Sequence, residues 1–150
     1  GLEVPSEWYE GPTFYFTNAA PSAIYADGDD VPRPAYTQKL DVELELACII
    51  GAGGRDIAAA DAEQHIAGFT IFNDWSARDV QPWEYQPLGP FLSKNFLTSV
   101  SPWIVTMDAL APFRAPAAPR EAGDPAPLPY LDDAGDRAWG GIEVTLVEAD

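Results

Sequence analysis

The sequence predicts a β-rich, mixed α+β domain. Three observations carry that expectation. Fifteen prolines and twelve glycines are spread along 150 residues, a density that suits short strands and ordered loops better than a helical bundle. The stretch from Leu40 to Ile50 alternates acidic and apolar residues and then turns wholly apolar, which is the pattern of a strand. Segments of helical composition are short, and the clearest runs only from Ala58 to Ala67.

The elements follow in order. Residues 1–39 read as a loop-rich lead-in. Within it Phe14-Tyr15-Phe16 has strand propensity, and Asp27-Gly28-Asp29-Asp30 before Val31-Pro32-Arg33-Pro34 reads as a turn followed by an extended segment. Leu40 to Ile50 is the clearest strand. Acids stand at 41, 43 and 45, and the continuously apolar second half is expected to be buried on both faces. Ala58 to Ala67 reads as a short helix with Gly68 just past its end. Phe69-Thr70-Ile71-Phe72 reads as a strand that delivers Asn73 and Asp74 at its end. Ser76-Ala77-Arg78-Asp79 has capping-box spacing, and a helical turn there places Arg78 and Gln81 on one side. Pro82 to Phe96 reads as a run of turns, Trp103 to Thr106 as a strand, and Pro112 to Pro129 as an extended surface connection. Ile142, Val144 and Leu146 alternate as a last strand.

Composition narrows the function. The chain has 8 basic and 24 acidic residues, for a net charge of −16. Such a surface repels phosphates, which argues against nucleic acid or an anionic membrane as partner. At 47% hydrophobic residues the chain is not an acidic disordered tail, and its length suits one domain. No apolar run approaches about 20 residues, so no membrane-spanning helix is expected. Gly1 to Pro5 carry no basic run of a secretory signal. The single Cys48 permits no internal disulfide and fits a reducing, cytoplasmic setting. The chain begins without methionine and ends in a strand-like pattern, so it is expected to be a piece of something longer.

Two constellations carry chemistry. Glu43 and Glu45 share a strand face about 6.6 Å apart along it, and Asp41 falls on the same face. Such a stripe fits either a solvated sheet face or a cation that neutralises it. Asp74, at the end of an apolar strand and beside Trp75, needs a partner. Two Glu and one Asp make an all-oxygen site that selects Mg²⁺, Ca²⁺ or Mn²⁺ over Zn²⁺. Arg78, Gln81, Tyr85 and Lys94 form the second constellation. Cations so near a metal site suit an anionic substrate or a developing oxyanion. The alternative is that Arg78 pairs with Asp79 or Glu84 at the surface. The lone His65 reads as a packing or capping residue, and Cys48, Ser76 and Ser93 lack the flanking residues of a nucleophile.

The run from Asn73 to Gln81, the run from Trp83 to Lys94, Leu40-Asp41-Val42-Glu43-Leu44-Glu45, and Ser101 to Leu110 together resemble the fumarylacetoacetase superfamily. The resemblance extends from about residue 36 to 146. It implies a catalytic-domain β-roll or sandwich, incomplete at both ends here, with 1–39 as lead-in, 40–110 as the metal and substrate core, and 111–150 as a Pro-rich connection and terminal strand. It implies a metal-dependent hydrolase that cleaves a carbon–carbon bond in a small anionic β-diketo acid, such as fumarylacetoacetate in tyrosine catabolism, and a homodimer. By position, Glu43, Glu45 and Asp74 match the family's metal ligands, and Thr98 matches a further metal-associated position. Arg78, Gln81 and Tyr85 match substrate-binding residues. Lys94 matches a lysine that helps bind metal or substrate and steadies the oxyanion.

Three departures from the family pattern stand out. The family's catalytic His and its Glu partner lie upstream of the Glu-x-Glu strand, whereas His65 lies downstream, so no residue here matches the base. A later Gly-Thr segment is absent through Asp150. Asn95 and Leu97 replace small residues common in the lysine motif. The lead-in with Phe14 to Asn18 looks more like the smaller acylpyruvate-hydrolase-like branch. Two alternatives therefore stand beside the first reading. One is an acylpyruvate hydrolase or oxaloacetate decarboxylase of the same superfamily. The other is a non-catalytic metal-binding or dimerisation module.

Overall fold

The computed structural model describes residues 7–145. In chain order they form α1 (Glu7–Glu10), β1 (Ile24–Ala26), β2 (Leu40–Asp41), β3 (Leu44–Ile50), β4 (Ile66–Asp74), β5 (Ser76–Ala77), α2 (Gln81–Leu88), β6 (Thr98–Val100), β7 (Val105–Thr106), α3 (Met107–Leu110), β8 (Arg114–Ala115), α4 (Ala134–Trp139) and β9 (Gly141–Ile142), with 3₁₀ turns between them. The fold is mixed α+β, as the sequence predicts. Among the described residues no helix is long and apolar enough to cross a membrane.

The chain divides into two compact units. The first comprises Phe14–Ile49 and Gly68–Val105, and the second Gly1–Thr13, Ile50–Ala67 and Thr106–Asp150. A mixed sheet in the order β1-β6-β4-β3 organises the first. β1 runs parallel to β6 and pairs Ile24 with Thr98. β6 runs antiparallel to β4 and pairs Thr98 with Asp74. β2 pairs antiparallel with β5, Leu40 opposite Ala77 and Asp41 opposite Ser76.

The predicted Leu40–Ile50 strand is interrupted after Asp41. Residues 40–41 pair with β5 while the stretch from Leu44 pairs with β4. At the break Glu43 N donates to Asn73 Oδ1 (3.0 Å) and Asp74 N donates to Glu43 O (3.1 Å). The apolar second half is not buried on both faces. β3 lies at the end of the strand order, and Leu46 and Ile50 are 49% and 63% exposed. One paired edge does not cover the two faces of a strand.

Several local expectations are corrected. The short helix expected over Ala58–Ala67 is present as a 3₁₀ helix over Ala59–His65, but it ends earlier than expected, and β4 begins at Ile66 and takes Gly68 into its interior rather than just past a helix end. Phe14-Tyr15-Phe16 forms no strand. Ser76-Ala77-Arg78-Asp79 makes no capping box. Ser76 is in β5, and the Asp79 carboxylate is taken by Thr37 Oγ1 (2.5 Å) and Gln38 N (2.8 Å). Pro82–Phe96 is not turns throughout, since α2 occupies its first half with Pro82 in its first turn, where a missing N–H costs nothing. The strand expected over Trp103–Thr106 is only β7. In the last predicted strand Ile142 ends β9, Val144 is irregular, and Leu146 lies outside the described residues.

The second unit is tied by backbone and surface contacts. β8 and β9 pair Arg114 with Ile142. Arg114 donates to Trp139 O (2.6 Å) and pairs with Glu63 (2.8 Å). Asp133 caps α4 through Asp136 N (2.8 Å). His65 Nδ1 lies 2.8 Å from Ala52 O, in keeping with a structural histidine.

Candidate metal and substrate site

Two strands bring the acids together. β3 offers Glu45 and, just before it, Glu43, while the adjacent β4 ends on Asp74. Carboxylate oxygens of the three lie within 4.8 Å of one another. The ladder between β4 and β6 sets Thr98 opposite Asp74.

Asp74 is 3% exposed. Its Oδ2 accepts from the Tyr15 hydroxyl (2.6 Å) and faces Lys94 Nζ (3.2 Å). Its Oδ1 is buried and has no hydrogen-bond partner among the described residues. A buried carboxylate oxygen without a donor is costly, and a cation is one partner that suits it.

Lys94, 2% exposed, reaches into the same cluster. Its ammonium contacts Glu43 Oε2 (2.5 Å), Asp74 Oδ2 and Ser76 Oγ (2.6 Å). Ser76 in turn donates to Asp74 O (3.0 Å). Arg78 bridges Asp41 Oδ2 (2.8 Å), Glu43 Oε1 (2.7 Å) and Gln81 Oε1 (2.9 Å). Arg78 and Gln81 thus do share a side, and Arg78's acidic partners are Asp41 and Glu43 rather than Asp79 or Glu84. Tyr85 sits one turn along α2 from Gln81.

The electrostatics differ from acid to acid. Burial pushes the Glu43 carboxyl up, but the Lys94 hydrogen bond and the charges of Lys94 and Arg78 outweigh it and hold it below the usual range. Glu45 is pushed up by burial and by the negative charges of Asp74 and Glu43. The Arg78 hydrogen bond holds Asp41 low. Burial and the bond to Asp74 push the Tyr15 phenol well above its ordinary value. Four carboxylates therefore face two cations in this cluster. The surplus of negative charge and the all-oxygen donor set suit one hard divalent cation.

Tyr15 and Ser76 were not singled out as site residues by sequence. Tyr15 carries the one hydroxyl in an aromatic triplet whose neighbours Phe14 and Phe16 are 83% and 95% exposed, and that contrast is its only local signal. Ser76 lies next but one to Asp74, yet its contact with Lys94 depends on a chain separation of 18 residues.

The centre is acidic and suited to a cation, lies at adjacent strands of a mixed sheet and is flanked by Arg and Lys. The chain belongs to the fumarylacetoacetate (FAA) hydrolase family, whose C-terminal model matches residues 2–124. It is 48% identical over 145 residues to a fumarylacetoacetase of Oryza sativa subsp. japonica, covering 85% of this chain and 33% of that protein. It is 54% identical over 108 residues to the fumarylacetoacetase of Homo sapiens, covering 69% and 25%. The chain thus spans a third or less of the length of these curated relatives. A fumarylacetoacetate hydrolase from Exiguobacterium antarcticum aligns with a TM-score of 0.59 at 40% identity, over 69% of this chain and 37% of that one. A fumarylpyruvate hydrolase from Pseudomonas aeruginosa, solved in complex with Mn²⁺ and pyruvate, aligns with a TM-score of 0.55 at 27% identity, over 70% and 48%.

Proposed function

We propose that these residues are the central part of the catalytic domain of a metal-dependent hydrolase that cleaves fumarylacetoacetate to fumarate and acetoacetate. The observation that carries the reading is the convergence of Glu43, Glu45 and Asp74 around a buried, unpartnered carboxylate oxygen, beside Lys94. Kinship with fumarylacetoacetases supports the substrate.

Glu43, Glu45 and Asp74, with Thr98 and Lys94 as further metal-associated residues, would hold a divalent cation, Mg²⁺ or Ca²⁺ with Mn²⁺ as a third option. A bound divalent cation supplies Lewis-acid polarisation of a carbonyl oxygen. Arg78 and Lys94 attract the anionic diketo acid. Gln81 gives its carbonyl oxygen to Arg78, which leaves its amide N–H groups as donors to substrate, and Tyr85 lines the same helix. Water adds to the carbonyl carbon on the fumaroyl side. The carbon–carbon bond then breaks, and its electron pair leaves with the acetoacetate fragment, which takes up a proton. Lys94, with Arg78 and Gln81, steadies the negative charge that develops. No described residue is assigned as the base, since the resemblance places that histidine upstream of Glu43 and Glu45 whereas His65 lies downstream of them.

The likeness to a fumarylpyruvate hydrolase favours an acylpyruvate as the second reading. The intact protein supplied with Mg²⁺ is expected to consume fumarylacetoacetate and release one fumarate per turnover, followed by ultraviolet absorbance and chromatography. Turnover of acylpyruvates with none of fumarylacetoacetate would replace the first substrate by the second. Inactivity on both, with Mg²⁺ still bound, would leave a non-catalytic metal-binding module.

A further inference from the structure

Glu84 stands on α2 among residues assigned to substrate, yet it turns to a different task. Its carboxylate receives four hydrogen bonds from one short segment. Oε1 accepts from Phe91 N (2.7 Å), Ser93 N (2.7 Å) and Ser93 Oγ (2.5 Å), and Oε2 accepts from Leu92 N (3.0 Å). Three successive backbone N–H groups converging on one anion fix the curvature of the segment that offers them. Bonds of this charge-assisted kind are roughly twice as strong as neutral ones.

The residue that follows is Lys94. The segment is held from its other side by Ala77 N donating to Ser93 O (2.9 Å), and it closes on itself as Lys94 N and Asn95 N donate to Phe91 O (3.1 and 2.7 Å). Ser93 is fully buried between these two restraints. Lys94 then sends its ammonium to Ser76, Glu43 and Asp74. Its main chain is referenced to β5 through Ala77 and its ammonium through Ser76, and Glu84 supplies the remaining side of the frame. A surface ion-pair partner would not look like this, because all four donors on Glu84 come from the segment that carries Lys94. Burial pushes the Glu84 carboxyl up, but the Ser93 hydroxyl and the three amides outweigh it and keep it below the usual range.

We propose that Glu84 is a positioning residue for Lys94, holding segment 91–93 in the curvature that delivers the ammonium to Glu43 and Asp74. It acts only through Lys94. The activity arm of the test rests on the hydrolase reading above, and the spectroscopic arm does not.

Glu84→Ala removes all four bonds. Glu84→Gln keeps the shape but turns an amide donor toward Leu92 N–H. Both are made in the intact protein, and folding is followed by circular dichroism. In protein labelled with ¹⁵N-lysine, the Lys94 ammonium resonance is assigned by its loss in Lys94→Met. It is expected to shift or vanish in both Glu84 variants, although Glu84 does not touch the Lys94 ammonium. An unchanged resonance in a folded variant overturns the proposal. With fumarylacetoacetate, kcat is expected to fall about tenfold or more with KM nearly constant, and Glu84→Ala is expected to cost nothing further on the Lys94→Met background. Losses that multiply in the double variant would show Glu84 acting independently of Lys94, and would equally overturn it. If the wild-type protein leaves fumarylacetoacetate untouched, the substrate reading fails while the resonance still decides the role of Glu84. If Glu84→Ala does not fold, Glu84→Gln and Ser93→Ala, which deletes the hydroxyl bond alone, carry the same comparisons.

Discussion

The two units of the chain bury different things. Among the described residues, every buried one lies in the unit of Phe14–Ile49 and Gly68–Val105. Most are polar: Thr37, Thr70, Asp74, Ser76, Ser93, Lys94 and Thr98 stand against Ala23, Ala77 and Leu97 as the buried hydrophobic side chains. The other unit holds itself with caps, short ladders and ion pairs, the exposed Arg137 with Asp132 and the partly covered Arg114 with Glu63. Burying polar groups is costly unless each finds a partner. The first unit largely meets that condition, and among the described residues its buried side-chain atoms without a partner are Asp74 Oδ1, in the middle of the acidic cluster, and Asn95 Oδ1, next to Lys94 in sequence. The interior of that unit is organised around its site.

The largest expected effect tests this contrast directly. Lys94→Met removes the charge between Glu43 and Asp74, which leaves the buried Asp74 without its cation and Glu43 with Arg78 alone. It is expected to destabilise the protein by about 3 kcal/mol or more in urea unfolding, whereas Arg137→Ala in the other unit is expected to cost at most about 1 kcal/mol. Similar losses in both would erase the difference between the units. Added Mg²⁺ is expected to return part of the stability lost in Lys94→Met, because a cation then replaces the missing charge.

Next in size is cation affinity. Glu45→Gln and Asp74→Asn are each expected to weaken Mg²⁺ binding by about tenfold or more in calorimetry. Glu63→Gln, an exposed acid of the second unit, is expected to leave it unchanged. Equal affinities in all three proteins would take Glu45 and Asp74 out of the site.

The smallest effect is on pH dependence. Thr37 and the Gln38 amide hold the Asp79 carboxyl below the usual range. A depressed folded-state value stabilises the fold above the unfolded value of about 3.9, and that contribution is lost as pH falls through the lower folded value. Asp79→Asn is therefore expected to flatten the acid limb of the stability curve while leaving its neutral-to-alkaline shape intact. Glu63 is also held low, first by its bond to Arg114, so Glu63→Gln is expected to flatten the limb in the same direction.

Much of the site was legible in the sequence, and much of the local structure was not. The i, i+2 spacing of Glu43 and Glu45 and the strand leading to Asp74 were readable because they depend on backbone period alone. The segments that misled were those with competing preferences. Alanines at 58–67 favour helix, yet the chain enters β4 at Ile66. Pro82 and Pro87 suggested turns, yet Pro82 fits the first turn of α2. The apolar run through Ile50 suggested a doubly covered strand, yet strand order puts β3 at an end.

By itself the sequence determined which carboxylates share a strand and which long motifs tie the chain to its family. It also determined a charge that disfavours phosphate-rich partners. The tertiary structure alone decided who meets whom. It set Tyr15 on Asp74 across 59 residues, Arg78 on Asp41 and Glu43 rather than on its neighbours, Thr98 opposite Asp74, and Glu84 under the segment that carries Lys94. The reason is physical. Side-chain periodicity is a property of a few consecutive dihedral angles, whereas a buried donor and acceptor find each other only after the strands carrying them have been ordered in a sheet.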